Sequence, residues 1–225
     1  MKNIISESIG MYLREFTKIV LLSMLTYLPL LLFHAFLVNY IYMRTQFAEY
    51  PGLIGDAANG IFMIIFLTIA QVPFIKFTLL EMEGEDHALK RSLSFSIEKA
   101  LPIYIFGCIY ALLVFVGGLL FIIPGLMVLL LLYFVPYFIA DETKSFKAAI
   151  KKSVRFFKMY YMKASLIIIL LTVIQLFFEN IVLFLLSFYT SVYFTLLLTK
   201  IILLVLILPL QTIVLTNVYL KWKAV

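Results

Sequence analysis

The chain has 225 residues, 64% of them apolar and 13% charged, with a mean hydropathy of +1.11. A soluble domain is nearer half apolar and a quarter charged, so this composition excludes a soluble globular protein and points to lipid as the solvent. The net charge of +6 follows membrane topology rather than a nucleic-acid footprint, and the single cysteine, Cys108, excludes an internal disulfide.

The chain opens on an amphipathic stretch, Lys2 to Lys18, that places Ile5, Ile9, Leu13 and Phe16 on one face. An apolar run of about 20 residues spans a bilayer as a helix. The first such span covers residues 19–43. It is too long for a cleavable signal peptide and has no small-residue cleavage site, so it reads as a retained anchor. The second span, 61–80, follows a long outer loop and carries Gln71, Pro73 and Lys76; the lysine is near the inner end, where it can reach the headgroups. A second amphipathic stretch, Asp86 to Lys99, repeats Leu89, Leu93 and Ile97 at intervals of four. The following run, residues 101–140, is twice too long for one crossing. Ile123-Pro124-Gly125 supplies a turn that divides it into spans 101–122 and 125–140. On the third span Gly107, Ala111 and Gly118 make a stripe of small residues suited to close helix packing. A third amphipathic stretch, Ser145 to Lys158, sets Phe146, Ile150, Val154 and Phe157 on one face, away from its cations. The fifth and sixth spans cover 164–186 and 194–220, with a turn near Ser187 to Tyr193. The expected fold is therefore an all-α, polytopic membrane bundle of six transmembrane helices, residues 1–225 forming a single integral membrane domain with no soluble domain.

Lysine and arginine orient the bundle. With the N-terminus inside, fifteen of the eighteen cations lie in inner segments; Arg44 alone lies outside, while Lys76 and Lys200 fall within spans. Both ends are thus expected in the cytoplasm. An amphipathic stretch preceding each hairpin suggests a threefold repeat. Each stretch carries a serine before an aliphatic residue (Ser8-Ile9, Ser92-Leu93, Ser153-Val154). Each even-numbered span carries a proline, Pro73, Pro136 and Pro209, where a helix kink is expected.

Charges within spans are functional candidates because hydrocarbon solvates them poorly. Glu179 and Lys200 lie at similar depths on either side of the last turn and are expected to pair, either as a clasp or as part of a polar site with Asn180 and Gln175. Lone polar groups, His34 and Gln71, are expected to bond between helices. Lys144, Lys147, Lys151, Lys152, Arg155 and Lys158 form a basic patch for anionic headgroups on the cytoplasmic side, worth about 1 kcal/mol per cation near the surface, or for a protein partner. No cofactor, metal ligand set or catalytic residue is legible: there is no HExxH motif, phosphate loop or serine elbow, and His34 and His87 lie in separate segments.

The run Gly117-Gly118-Leu119-Leu120-Phe121-Ile122-Ile123-Pro124-Gly125-Leu126 resembles a known membrane domain. So do Tyr133-Phe134-Val135-Pro136, Ala140-Asp141-Glu142 and Ala148-Ala149-Ile150-Lys151-Lys152-Ser153. The family is the membrane domain that precedes the catalytic barrel of some bacterial glycerophosphodiester phosphodiesterases, together with related stand-alone six-helix proteins. The likeness is best over residues 100–165. It implies six helices in a bacterial cell membrane; the activity belongs to a barrel that this sequence lacks, so it implies no catalytic residue here. Two functions remain open: a non-catalytic accessory, regulatory or scaffold subunit, and a carrier or export component for a lipid, peptide or small amphiphile.

Overall fold

The computed structural model describes residues 2–141, 143 and 145–223, all-α among these residues. Ten helices follow in chain order: α1 (Lys2–Arg14), α2 (Phe16–Leu25), α3 (Tyr27–Thr45), α4 (Pro51–Met82), α5 (Ala88–Glu98), α6 (Ala100–Leu120), α7 (Ile122–Leu132), α8 (Val135–Ala140), α9 (Phe146–Ser187) and α10 (Tyr193–Lys223). Six helical units are long and apolar enough to cross a membrane: Phe16–Thr45, Gly52–Met82, Ala100–Leu120, Ile122–Ala140, Phe146–Ser187 and Tyr193–Lys223. The protein is a multi-pass membrane protein.

Two helices outrun the sequence-based spans. The second starts at Pro51, which fits the first turn of a helix because its missing N–H would have no partner there. The outer loop is thereby shortened. The third amphipathic stretch is not a separate helix; it runs into the fifth span as α9, with a bend at Tyr160 (φ −119°, ψ 20°).

That bend belongs to a pattern. Glu15 between α1 and α2 has φ −101°, ψ 21°, and Lys99 between α5 and α6 has φ −94°, ψ 3°. All three lie near the sparsely populated bridge region. Each stands seven residues after one of the serines Ser8, Ser92 and Ser153, and all three serines are fully buried. The hydrogen-bond ladder continues through the first two bends, Glu15 N–H to Met11 O and Ile19 N–H to Glu15 O, Lys99 N–H to Phe95 O and Ile103 N–H to Lys99 O. The chain therefore turns without leaving backbone groups unsatisfied, as a low-dielectric surrounding requires.

The even-numbered spans form the interior. In the most apolar stretch of each span, 56, 39 and 67% of residues are buried for the second, fourth and sixth, against 28, 28 and 17% for the first, third and fifth. The even spans touch one another: α4 packs on α8 and on α10, and Tyr219 of α10 lies 5.8 Å from Tyr137 and 5.1 Å from Phe138 of α8 between ring centroids. The amphipathic segments close a ring around them. α1 packs on α10, α5 on α4, and the start of α9 on α7 and α8, so each sits on the even span of the preceding unit and the first on the last. The serines mark these seams. Asn217 Nδ2 donates to Ser8 Oγ at 2.8 Å, and Ser153 Oγ donates to Leu131 O at 2.7 Å; Ser92 bonds within its own helix, to Leu89 O.

The turn between the third and fourth spans falls at Phe121, the residue before the Ile-Ile-Pro-Gly run, and Pro124 lies in the first turn of α7. A Cβ on Gly125 would stand 2.6 Å from Gly118 N, and one on Gly117 2.9 Å from Gly125 Cα. Glycine is required here because the two backbones touch. Of the three prolines, Pro73 and Pro209 lie inside α4 and α10. Pro136 does not kink a helix from within; it occupies the first turn of α8, after the chain has already broken at Tyr133 and Phe134.

Candidate functional site

Within the spans, the structure brings some of the expected polar residues together and separates others. Glu179 Oε1 and Lys200 Nζ pair at 3.0 Å, the carboxylate side chain only 7% exposed and the lysine 49%. They lie about 10–12 Å from the turn that joins α9 to α10, at 1.5 Å per residue. Asn180 turns away and donates to its own helix at Leu176 O. Gln175, one turn inward of Glu179 on the same face, points into a cavity instead.

This cavity, of about 510 Å³, lies between the second, fourth, fifth and sixth spans, with Tyr27 of α3 and Tyr110 of α6 reaching its wall. Its size falls in the usual range for ligand pockets, roughly 300–1,000 Å³. The deep wall combines aliphatic residues with Tyr27, Thr68, Gln71, Tyr133, Gln211 and Thr212. Most polar groups there are already committed. Tyr27 and Thr212 share a hydrogen bond of 3.2 Å, Tyr110 donates to Leu129 O at 2.6 Å, Gln211 Nε2 donates to Leu171 O at 2.9 Å, and Thr68 and Thr172 bond back into their helices. The amides of Gln71 and Gln175 have no hydrogen-bond partner among the described residues. Gln71 was expected to bridge helices. It lies instead against open space one turn ahead of Thr68's buried hydroxyl. Among the described residues, no acidic, basic or histidine side chain lines the cavity.

Gln175 was expected in a polar site and Gln71 between helices; the rest of this wall was not foreseen. The signal was present: Gln71 stands two residues before Pro73 and Gln211 two residues after Pro209, each an amide in an otherwise apolar span. Nothing in the periodicity shows that both face the same space, because that depends on how the even spans pack.

Two further polar groups resolve as structural. His34 Nε2 lies 3.4 Å from Asn59 O of α4, a helix-to-helix contact. Lys76 does not reach for headgroups; it is buried under α5, with Nζ 5.1 Å from the centre of the Phe95 ring. Tyr137 Oη and Asn217 Oδ1 are buried without a partner among the described residues.

At the face carrying the amphipathic segments, Lys147, Lys151, Lys152, Arg155 and Lys158 are all exposed along one side of α9. Lys144, assigned to the same patch, lies outside the described residues. The buried edge of this segment is Ala149, Ser153, Phe156 and Phe157, so the stripe is rotated from the expected one and Ile150 is exposed. The first amphipathic stretch behaves likewise: Ile4, Ser8 and Met11 are buried, while Ile5, Ile9, Leu13 and Phe16 remain exposed. Each segment thus presents one face to protein and keeps apolar groups on another, as an interfacial helix does. At the α1–α2 junction Lys18 Nζ bridges Glu15 at 2.8 Å and Glu81 of α4 at 3.0 Å, and Arg14 also bonds Glu15. These cations hold the Glu15 carboxyl below the usual carboxylate range, the hydrogen bond from Lys18 contributing most.

Comparison with protein families, characterised proteins and solved structures finds no match to this chain.

Proposed function

We propose that the protein is a non-catalytic carrier or receptor for an amphiphile drawn from the membrane, and that the cavity between the even spans and α9 is its binding site. The observation that carries this reading is the pair of unpartnered amides, Gln71 and Gln175, facing a cavity of ligand size at membrane depth. These half-buried amides face an apolar-lined space, and a guest with acceptors of its own would bond them. The closed Glu179–Lys200 pair lies outside the cavity wall and acts in this reading as a clasp on the last hairpin, not as a ligand site.

The lysine and arginine bias supports a cytoplasmic position for the amphipathic segments and for both ends of the chain. The resemblance over residues 100–165 supports a bacterial cell membrane. Gentle extraction from the native membrane followed by mass spectrometry tests the reading. A small molecule retained by the wild type and lost in Ile168→Trp, which adds bulk to a buried part of the cavity wall, is expected. Equal retention in both would count against it.

A second reading, an accessory or scaffold subunit, draws on the exposed cations of α9, which suit anionic headgroups or an acidic partner. It predicts that neutralising Lys147, Lys151, Lys152 and Arg155 together abolishes a stoichiometric protein association while the fold survives.

A further inference from the structure

We infer that the guest of the cavity is an isoprenoid quinone, its ring carbonyls accepting hydrogen bonds from Gln71 and Gln175 and its tail lying out between α7 and α9. The inference rests on the binding-site reading above and narrows it to one ligand class.

Depth is the first constraint. Gln71 stands about 17 Å along α4 from Met82, and Gln175 about 18 Å along α9 from Ser187, at 1.5 Å per residue. Both amides are therefore near the middle of a hydrocarbon core about 30 Å thick. A lipid held at the interface by a charged head keeps its carbonyls there and does not reach them. Whatever bonds these amides carries its acceptors to mid-membrane, so its polar part must be neutral and small enough to desolvate cheaply.

The route follows from which lining residues are exposed. Leu126 of α7 and Ile169, Val173 and Leu176 of α9 line the cavity and yet stand about half exposed, at 49, 52, 55 and 49%. They are its mouth, and they are aliphatic. Val173 and Leu176 flank Gln175 along α9, so the mouth reaches the depth of the amides and opens sideways to hydrocarbon. A guest dissolved in water would not meet this opening; one already dissolved in the membrane would. α9 leaves room for it, because the fifth span is the least buried of the six in its most apolar stretch.

The chemistry narrows the guest. Among the described residues no charged side chain lines the wall, which disfavours a carboxylate or a phosphate. Each free amide offers two N–H donors, and the two amides belong to different helices. A quinone ring is flat and uncharged, carries carbonyl acceptors on opposite sides, and has no donor of its own to leave unpaired. A prenyl alcohol has a single oxygen and serves one amide only. Tyr27, Tyr110 and Tyr133 add aromatic surface to the same wall, against which such a ring packs favourably. The tail asks only for hydrocarbon, which the mouth supplies. A peptide would bring backbone N–H groups to a wall whose hydroxyls and remaining amide already bond to their own neighbours.

The test uses the full chain in nanodiscs of phosphatidylethanolamine and phosphatidylglycerol loaded with a short-tailed menaquinone that bears a photoreactive azide on its ring. After irradiation, peptide mapping is expected to place saturable adducts on α4 near Gln71 and on α9 near Gln175. Unlabelled menaquinone should compete, and a prenyl alcohol of the same tail length or a diacylglycerol should compete about ten-fold less well. Ile168→Trp is expected to remove these adducts while background labelling of the lipid-facing side of α6 (Ile105, Ile109, Leu112) persists. Because added bulk can disturb folding, Gln71→Leu and Gln175→Leu provide a gentler check: each should raise the half-saturating quinone concentration by about two- to ten-fold. Equal competition by the prenyl alcohol or the diacylglycerol overturns the inference. So does an unchanged half-saturation in the double leucine variant. A different molecule retained from the native membrane and lost in Ile168→Trp overturns the quinone and leaves the binding-site reading standing. Labelling that never saturates and spreads evenly over the lipid-facing helices, with no molecule retained from the native membrane, removes both.

Discussion

Two residue pairs separate packing from charge as sources of stability. Glu179 is buried and depends on one cation; removing that cation by Lys200→Met leaves an unpaired charge in a poor solvent, and a loss of about 3–5 kcal/mol is expected. Replacing both partners, Glu179→Leu with Lys200→Met, should recover most of it, which thermal unfolding in micelles will read as a double-mutant cycle. If the double variant is as unstable as the single, the pair does more than clasp. The glycines give a contrast of a different kind. Gly125→Ala pushes a Cβ against backbone atoms of Gly118 and must move α6 from α7, whereas a Cβ on Gly118 meets nothing within 4 Å. The first should lower the melting temperature and the second should leave it nearly unchanged. Both features were partly legible: the opposite charges fell at equal depth along the sequence, and glycines clustered at the turn. Which glycine bears the contact was not, since it depends on the crossing of two helices.

At the scale of the element, the bends at Glu15, Lys99 and Tyr160 join interfacial segments to spans. The serines seven residues earlier were visible in the sequence; the bends were not, because the three residues share no chemistry and the turn is set by packing on the neighbouring even span. The first junction should respond to pH. Glu15 titrates below the ordinary carboxylate range, so its contribution to stability is fully present above that range and is lost as pH falls through its lowered value. Arg14, Lys18 and, across the junction, Glu81 are the charged groups that face it. Glu15→Gln should flatten the acid limb of the stability curve while changing the neutral-pH melting temperature in the downward direction; an unchanged acid limb would show that the cluster is solvated and inert. The long helix α9 was misread for a related reason. Amphipathic and apolar stretches differ in period, which suggested two helices, yet the backbone passes from one to the other with only a bend.

Across the whole molecule, the repeat acquires a physical meaning. Hydropathy located six spans but could not rank them, since all are similarly apolar; only assembly shows that the even spans form the interior and the odd ones face outward. The ring of interfacial segments then ties each unit to its neighbour. The seam between the first and last units carries two hydrogen bonds, from Asn217 to Ser8 in the interior and from Tyr12 to Leu206 O at its exposed edge. Ser8→Ala would strand a buried amide there and should cost about 1–3 kcal/mol, more than Ser92→Ala, whose hydroxyl bonds only within its own helix. Equal losses would mean that the seam is not held by this contact. A cavity between such spans is a property of this assembly alone, which is why the sequence showed Gln71 and Gln175 as separate polar residues.

The most direct test is a high-resolution structure of the full chain in lipid nanodiscs. The account predicts elongated non-protein density entering between Leu126 and Val173 and ending within hydrogen-bond distance of Gln71 and Gln175. A structure with α7 closed on α9, those amides bonded to protein and no density between them would contradict it.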